Sequence, residues 1–369
     1  MQYRSFGKVP EKVSALGYGC MRFPTDAEGN PDRARAIALI RRAYEAGINY
    51  FDTAYGYHRG QSEGLVGEAL RGIREKVFIA TKMPCYMIEQ EEDFERIFAE
   101  QLARLETDYI DFYLLHTLSL NTWENVVLKF GFLDKLTQLK KEGKIRYVGF
   151  SFHDTEEAFY PICDGYDWDF CQIQLNYINT DHQQGLNGLY HAAKKGMGVI
   201  IMEPLLGGRL ADPPPVAKAC LPQGKTPVEW ALNYLWDMPE VSLLLSGMSS
   251  EEQLEQNLVT AEHSRIGCLS DEEKKAFVAA KKAFDTMAFV PCTKCKYCMP
   301  CPFGVDIPEV FAAYNNTAIH KKEEIAAAYA EMSGKASLCK ECGKCETLCP
   351  QHIAIRQELK KAEAAILAE

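Results

Sequence analysis

The chain has 369 residues, 47% hydrophobic and 25% charged, an ordinary globular composition whose length favours about two domains. Acidic residues outnumber basic ones 51 to 41, and the net charge of −10 argues against nucleic acid, whose binding needs clustered Lys and Arg. No apolar run approaches the roughly 18 residues that span a bilayer, and Met1 to Lys8 carry no hydrophobic leader, so no membrane contact and a cytoplasmic location are expected.

Short apolar stretches with β-branched or aromatic residues predict strands at 13–17, 50–52, 77–82, 110–116, 147–151, 170–175, 199–202 and 243–246. Helical spacing between them predicts helices over 32–46, 91–105, 133–142, 183–195 and 226–236. Gly47, Gly143 and Gly196 each fall where a helix should stop before the next strand. Strands alternating with helices and closing near residue 247 predict an α/β fold, a (β/α)8 TIM barrel. The alternative is an open doubly wound sheet, but no GxGxxG follows the first strand.

Catalytic groups of such a barrel lie at the C-terminal ends of its strands. Those ends hold Asp52, Lys82, His116 and Ser151. A single buried charge there could be a satisfied structural residue, because structural ion pairs are common. An Asp, a Lys and a His at one rim are costly for stability alone. Past His116, the stretch 117–132 carries Trp123, Phe130 and Phe132, which either line a substrate pocket or cover the rim.

Eight of the fourteen cysteines fall in two runs near the C-terminus. The first is Cys292-x2-Cys295-x2-Cys298-x2-Cys301-Pro302, and the second is Cys339-x2-Cys342-x2-Cys345-x3-Cys349-Pro350. The second run has the bacterial iron–sulfur spacing, and the first is one residue short before its last cysteine. Structural zinc would favour two CxxC pairs, and disulfides would need an oxidising compartment. Two [4Fe–4S] clusters are therefore expected, each taking three thiolates from one run and the Cys-Pro cysteine of the other. By that rule Cys292, Cys295, Cys298 and Cys349 hold one cluster, and Cys339, Cys342, Cys345 and Cys301 hold the other. The scattered Cys20, Cys85, Cys163, Cys171, Cys220 and Cys268 read mostly as small core residues.

The strand-end residues stand inside motifs that resemble the aldo-keto reductase family. These are Asn49-Tyr50-Phe51-Asp52-Thr53-Ala54-Tyr55-Gly56-Tyr57, Ala80-Thr81-Lys82, Leu114-Leu115-His116 and Gly149-Phe150-Ser151. The resemblance covers roughly residues 1 to 290 and implies a catalytic tetrad of Asp52, Tyr57, Lys82 and His116. Tyr55 competes, but the family's spacing from the aspartate selects Tyr57. The resemblance also implies NADP or NAD. Contacts are expected from Met21, Asp52, Ser151 and Gln172; from Pro204, Leu205, Gly207, Gly208 and Arg209; and from Gly247, Ser249, Gln253 and Asn257. Three positions depart from the family's pattern. Phe152 replaces a frequent Asn, Met202 replaces a stacking aromatic, and Gln253 replaces an arginine for the 2′-phosphate, with Glu251 and Glu252 beside it.

An amphipathic stretch at 271–287, with Phe277, Ala280 and Phe284 on one face, precedes the cysteines, so the domains are expected at 1–288 and 289–369. Helices are predicted at 307–314, 321–332 and 354–367, and the tail resembles an α-helical ferredoxin module. The arrangement resembles the ferredoxin-fused branch of the family and implies carbonyl–alcohol interconversion on a small molecule, coupled to electron relay. Hydride moves two electrons and each cluster one; no flavin motif is visible, so a bound flavin, a radical-tolerant substrate, or a ferredoxin or flavoprotein partner stays open. The alternatives are a conventional carbonyl reductase with a structural or oligomerising tail, and a non-catalytic cofactor-binding subunit for electron transfer or regulation.

Overall fold

The computed structural model describes residues 1–26, 28–287, 290–317 and 322–368. The chain divides into two compact units, Met1–Pro204 with Ala231–Leu269, and Leu205–Trp230 with Ser270–Glu369. The expected boundary between 288 and 289 lies outside the described residues, as does the expected helix start at 321. Among the described residues no helix is long and apolar enough to cross a membrane.

The first unit opens with a hairpin, β1 (Tyr3–Phe6) and β2 (Val9–Ser14), which pair antiparallel. Eight parallel strands then close a barrel: β3 (Leu16–Gly19), β4 (Tyr50–Asp52), β5 (Phe78–Met83), β6 (Ile110–Leu118), β7 (Ile145–Phe152), β8 (Phe170–Gln174), β9 (Gly198–Met202) and β10 (Leu243–Ser246). The order is sequential, with β10 completing the ring against β3. The expected strand at 13–17 is broken at Ala15. Its carbonyl accepts from the Leu244 amide at 3.1 Å and the Trp236 indole at 3.0 Å, and the chain turns from hairpin into barrel there.

Phe6 carries the hairpin into the barrel, its ring 5.0 Å from Phe112 and 5.8 Å from Phe170. A β-carbon on Gly198 would come within 2.3 Å of that ring, so the plug fits only because the start of β9 is bare. Tyr50, Ala80, Phe112, Leu114, Ile200, Leu243 and Leu245 complete the apolar interior. Side chains alternate along a strand, so the next inward positions after this layer are polar. They are Asp52 after Tyr50, Lys82 after Ala80, His116 after Leu114 and Gln172 after Phe170.

Two helices of the first unit have weak sequence signals. Ser62–Ala69 contains Gly64 and Gly67, and Glu156–Asp164 contains Pro161, residues that lower helix propensity. Gly67 is needed, because a β-carbon there would lie 2.7 Å from the Arg104 carbonyl oxygen.

In the second unit the helices Ile307–Asn316, Lys322–Glu331 and Ile355–Leu367 surround a core of Val305, Val310, Phe311, Tyr329, Leu359 and Ile366. Six of the eight run cysteines, Cys292, Cys298, Cys301, Cys339, Cys345 and Cys349, pack against that core. The segment Leu205–Trp230 joins this unit through Trp230, whose ring is 5.8 Å from Phe277, and through a Lys225–Glu273 ion pair at 3.3 Å. The helix Asp271–Asp285, expected to close the barrel domain, groups with the cysteine-rich tail.

Candidate active site and cysteine centres

Lys82 is fully buried on β5, and its ammonium has three acceptors. Its Nζ donates to Asp52 Oδ1, Asp52 Oδ2 and the Thr53 carbonyl, each at 2.7 Å. The three N–H bonds are thus used on the end of β4. Burial pushes Lys82 below its ordinary value, and the Asp52 carboxylate opposes the shift. Removing one partner of such a pair costs about 3–5 kcal/mol, because the other is left as a buried, uncompensated charge.

Tyr57 follows β4 in a short turn and is buried, its ring centroid 5.0 Å from Lys82 Nζ. The His116 ring stands 5.9 Å from the Tyr57 ring at 76°, and Tyr86 meets His116 from another side at 5.7 Å. Burial, followed by Lys82 and His153, holds His116 well below its usual 6.5, so the ring is neutral near pH 7. Tyr55 lies elsewhere: its hydroxyl donates to Glu100 at 2.7 Å and Arg104 covers its ring at 4.2 Å. The structure therefore brings together Asp52, Tyr57, Lys82 and His116, and leaves Tyr55 out.

Behind Lys82 lies a buried polar network absent from the sequence reading. Gln101 Nε2 donates to the Lys82 carbonyl at 3.0 Å and to Glu63 at 2.8 Å, and Thr81 donates to Glu63 at 2.6 Å. Tyr113 donates to Gln101 Oε1 at 2.7 Å. One signal was available: Gln101 falls on the buried face of its helix with Phe94, Ile97, Phe98 and Leu105.

Across the barrel mouth, Ser151 Oγ accepts from the Thr117 amide at 2.7 Å and holds Thr117 in a left-handed conformation (φ 55°) directly after His116. Gln172 Nε2 donates to Met202 Sδ at 3.6 Å, while its Oε1 is buried without a partner among the described residues. A carboxamide NH2 would satisfy that oxygen, so these residues fit a nicotinamide. Phe152 is turned into the core, its ring 5.1 Å from Phe159. Met21 lies in the turn after β3, half-buried, and Pro204 is buried just after β9.

Beyond β10, a β-carbon on Gly247 would meet the Arg22 side chain at 3.0 Å. Ser249 N donates to Gln253 Oε1 at 2.9 Å, Ser250 Oγ caps the helix Glu251–Glu262, and Asn257 donates to Ser246 Oγ at 3.1 Å. Gln253 is therefore drawn back onto its own helix start, with the Glu251 and Glu252 carboxylates in the first turn. Leu205, Gly207, Gly208 and Arg209 belong to the second unit, where Arg209 Nη1 donates to the Val290 carbonyl at 3.3 Å.

The second unit gathers its cysteines around two cavities. Cys292, Cys295, Cys298 and Cys349 line one of them, and Cys298, Cys301, Cys339, Cys342 and Cys345 line the other. Burial, then the neighbouring Cys295, Cys292 and Cys349, push the Cys298 thiol up to about 12. Burial and then Glu346 raise Cys345, with Cys339 and Cys342 adding to the shift. Thiols crowded this way resist joint ionisation, whereas bound iron favours every thiolate. Left-handed Lys294 and Glu341 (φ 53° and 55°) aim backbone N–H groups at sulfur: Lys294 bonds Cys292, and Glu341 bonds Cys339 at 3.4 Å. The donor sets fit iron–sulfur clusters, whose sulfurs accept such bonds.

Residues 15–279 match the Aldo/keto reductase family, and residues 291–354 match the 4Fe-4S dicluster domain. The chain is 29% identical over 282 residues to L-galactose dehydrogenase from Arabidopsis thaliana, covering 70% of this chain and 87% of that one. It is 26% identical over 317 residues to the uncharacterized oxidoreductase YqkF of Bacillus subtilis, covering 76% and 97%. Among solved structures, the holo form of aldo-keto reductase AKR11C1 from Bacillus halodurans superposes with a TM-score of 0.66 at 26% identity, covering 77% and 97%.

Proposed function

Because this chain belongs to the aldo/keto reductase family and carries a C-terminal 4Fe-4S dicluster domain, we propose that it interconverts a small carbonyl and its alcohol by nicotinamide-dependent hydride transfer, coupled to two [4Fe–4S] clusters. The observation that carries this reading is Lys82, sealed from solvent, ion-paired with Asp52 and 5.0 Å from the Tyr57 ring beside His116. A bound nicotinamide would supply or accept the hydride, and the clusters would pass single electrons. The rest of the chemistry falls to the chain's own side chains.

In reduction, Tyr57 gives its phenolic proton to the carbonyl oxygen as negative charge develops there. A phenol, with an ordinary pKa of about 10, is a poor acid near neutrality. The Lys82 charge lowers the cost of the phenolate left behind, acting through space because its three N–H bonds are taken. Asp52 and the Thr53 carbonyl fix that charge. Neutral His116 offers a ring N–H to the same oxygen and orients the substrate. In oxidation the steps reverse, with Tyr57 as base.

Cofactor contacts are assigned to Met21, Ser151, Gln172, Pro204, Leu205, Gly207, Gly208, Gly247, Ser249, Gln253 and Asn257, with Gln172 Oε1, unsatisfied among the described residues, as the supporting geometry. Glu251 and Glu252 beside Gln253 disfavour a 2′-phosphate and tilt the preference towards NAD. The clusters are assigned to Cys292, Cys295, Cys298 and Cys349, and to Cys301, Cys339, Cys342 and Cys345, supported by the two cavities these residues line. Hydride carries an electron pair and each cluster one electron, so the relay calls for a flavin, bound here or on a flavoprotein partner, to divide the pair, and a ferredoxin partner would exchange single electrons with the clusters. The test is anaerobic titration of the full chain with NADH and with NADPH, followed at the cluster absorption bands and by nucleotide fluorescence. Neither nucleotide binding would overturn the reading; binding without cluster bleaching, with or without the partner, would leave a plain carbonyl reductase.

A further inference from the structure

Arg209 brings a half-buried positive charge to the cysteine-rich tail from outside both cysteine runs. It lies in Leu205–Trp230, the segment that shares a compact unit with Ser270–Glu369. Its Nη1 donates to the Val290 carbonyl at 3.3 Å, and its guanidinium carbon lies 5.5 Å from the Phe284 ring centroid. Val290 is fixed from the other side, where Asn315 takes its amide at 2.8 Å and gives Nδ2 to its carbonyl at 2.9 Å. The Val290 carbonyl also accepts from the Cys292 amide at 2.8 Å, which puts Arg209 one turn of chain from a cluster cysteine. Two cations favour the Cys292 thiolate, first Lys294, which is ion-paired with Glu309 at 3.1 Å, and then Arg209. Burial lowers the guanidinium to about 10, which leaves it charged near neutral pH.

The second cavity has a different electrostatic wall. Lys340, Lys344 and Arg356 line it, Glu346 adjoins Cys345, and Arg356 bonds that carboxylate at 2.7 Å, so this cavity carries charges of its own that Arg209 does not supply. Reducing a [4Fe–4S] cluster adds one electron and one negative charge with no change of ligand. Local charge and burial set its potential, and a cation acts more strongly where water is excluded.

We propose that Arg209 is a charge partner of the cluster held by Cys292, Cys295, Cys298 and Cys349, favouring its reduced state and raising its potential, with no matching effect on the other cluster. This rests on the cluster assignment above. It gives Arg209 a role towards iron–sulfur chemistry in place of the nucleotide contact that the family resemblance implied.

The test uses the full chain, loaded with clusters anaerobically and titrated with dithionite and mediators while each cluster's EPR signal is followed. In Arg209→Gln, iron should stay at about eight per chain. At the poise where the first cluster of the native protein is half reduced, its reduced-to-oxidised ratio should fall about tenfold, a shift of about 59 mV. The second signal should not move, and Arg209→Lys should restore most of the shift. Unchanged titration at full iron, or an equal shift of both signals, overturns the proposal. If Arg209→Gln drops to about four irons, retention by Arg209→Lys upholds the charge role, and loss from both variants replaces it with packing. About four irons in the native protein, unaffected by Cys292→Ser, would fail the cluster assignment itself.

Discussion

A β-carbon on Gly207 would lie 2.7 Å from the Thr293 carbonyl oxygen and 3.0 Å from its Cα. Gly207 also sits at φ +66°, where any other residue is strained. The segment after β9 therefore presses directly on the residue that follows Cys292. Gly207→Ala should cost about 1 kcal/mol in backbone strain and push Thr293 out of place. The expected result is partial loss of the iron held beside Cys292, read as iron per chain and as one weakened EPR signal of two. Full iron and an unchanged thermal midpoint would show that the contact yields without consequence.

The tyrosine assignment divides on geometry. Tyr57→Phe is expected to lower turnover by about 10²–10⁴-fold, the usual worth of a positioned acid or base. Nucleotide affinity, measured by fluorescence titration, should stay near the native value, because the hydroxyl matters only where charge develops. Tyr55→Phe loses hydroxyl contacts to Glu100 and Arg96, away from Lys82 and His116, and should keep turnover within a few-fold. The reverse pattern would move the acid to Tyr55.

Cys349 lies in the second run but shares a cavity with Cys292, Cys295 and Cys298. Cys349→Ser should remove the first cluster and leave the second, taking iron from about eight to about four per chain. Cys301→Ser should do the converse. If Cys349→Ser instead abolished the signal that depends on Cys342, each run would hold its own cluster.

Much of this was legible because barrel strands alternate strictly. Tyr50 then Asp52, Ala80 then Lys82, and Leu114 then His116 each read as an apolar inward residue followed by a polar inward one at the strand end. The cysteine spacings carried the tail in the same way. What stayed hidden depends on contacts between residues far apart in sequence. Glu63 sits on a helix whose Gly64 and Gly67 erase its periodicity, although it is fully buried against Thr81, Gln101 and Arg104. Nothing in the composition of Leu205–Trp230 tells that it packs with the tail, because the deciding features are a bare Cα at Gly207 and one cation at Arg209.

The environment of His116 sets a pH dependence of stability. Lys82 and His153 act on its charge, Tyr57 and Tyr86 face its ring, and burial is the largest cause holding its pKa below 6.5. In the unfolded chain the imidazole takes a proton as pH falls through its ordinary value, whereas the folded protein resists. The unfolded state then binds more protons, so stability falls with falling pH. The contribution is intact above about 6.5 and is lost progressively below it, down to the lowered folded pKa. His116→Gln keeps a neutral polar group and removes the titration. The drop in thermal midpoint between about pH 7.5 and about pH 5.5 should be smaller in His116→Gln than in the native protein. Comparing the two cancels the acid lability of the clusters, which both share. An equal drop in both would mean that His116 titrates normally when folded, and the neutral imidazole assigned to the substrate oxygen would have to be given up.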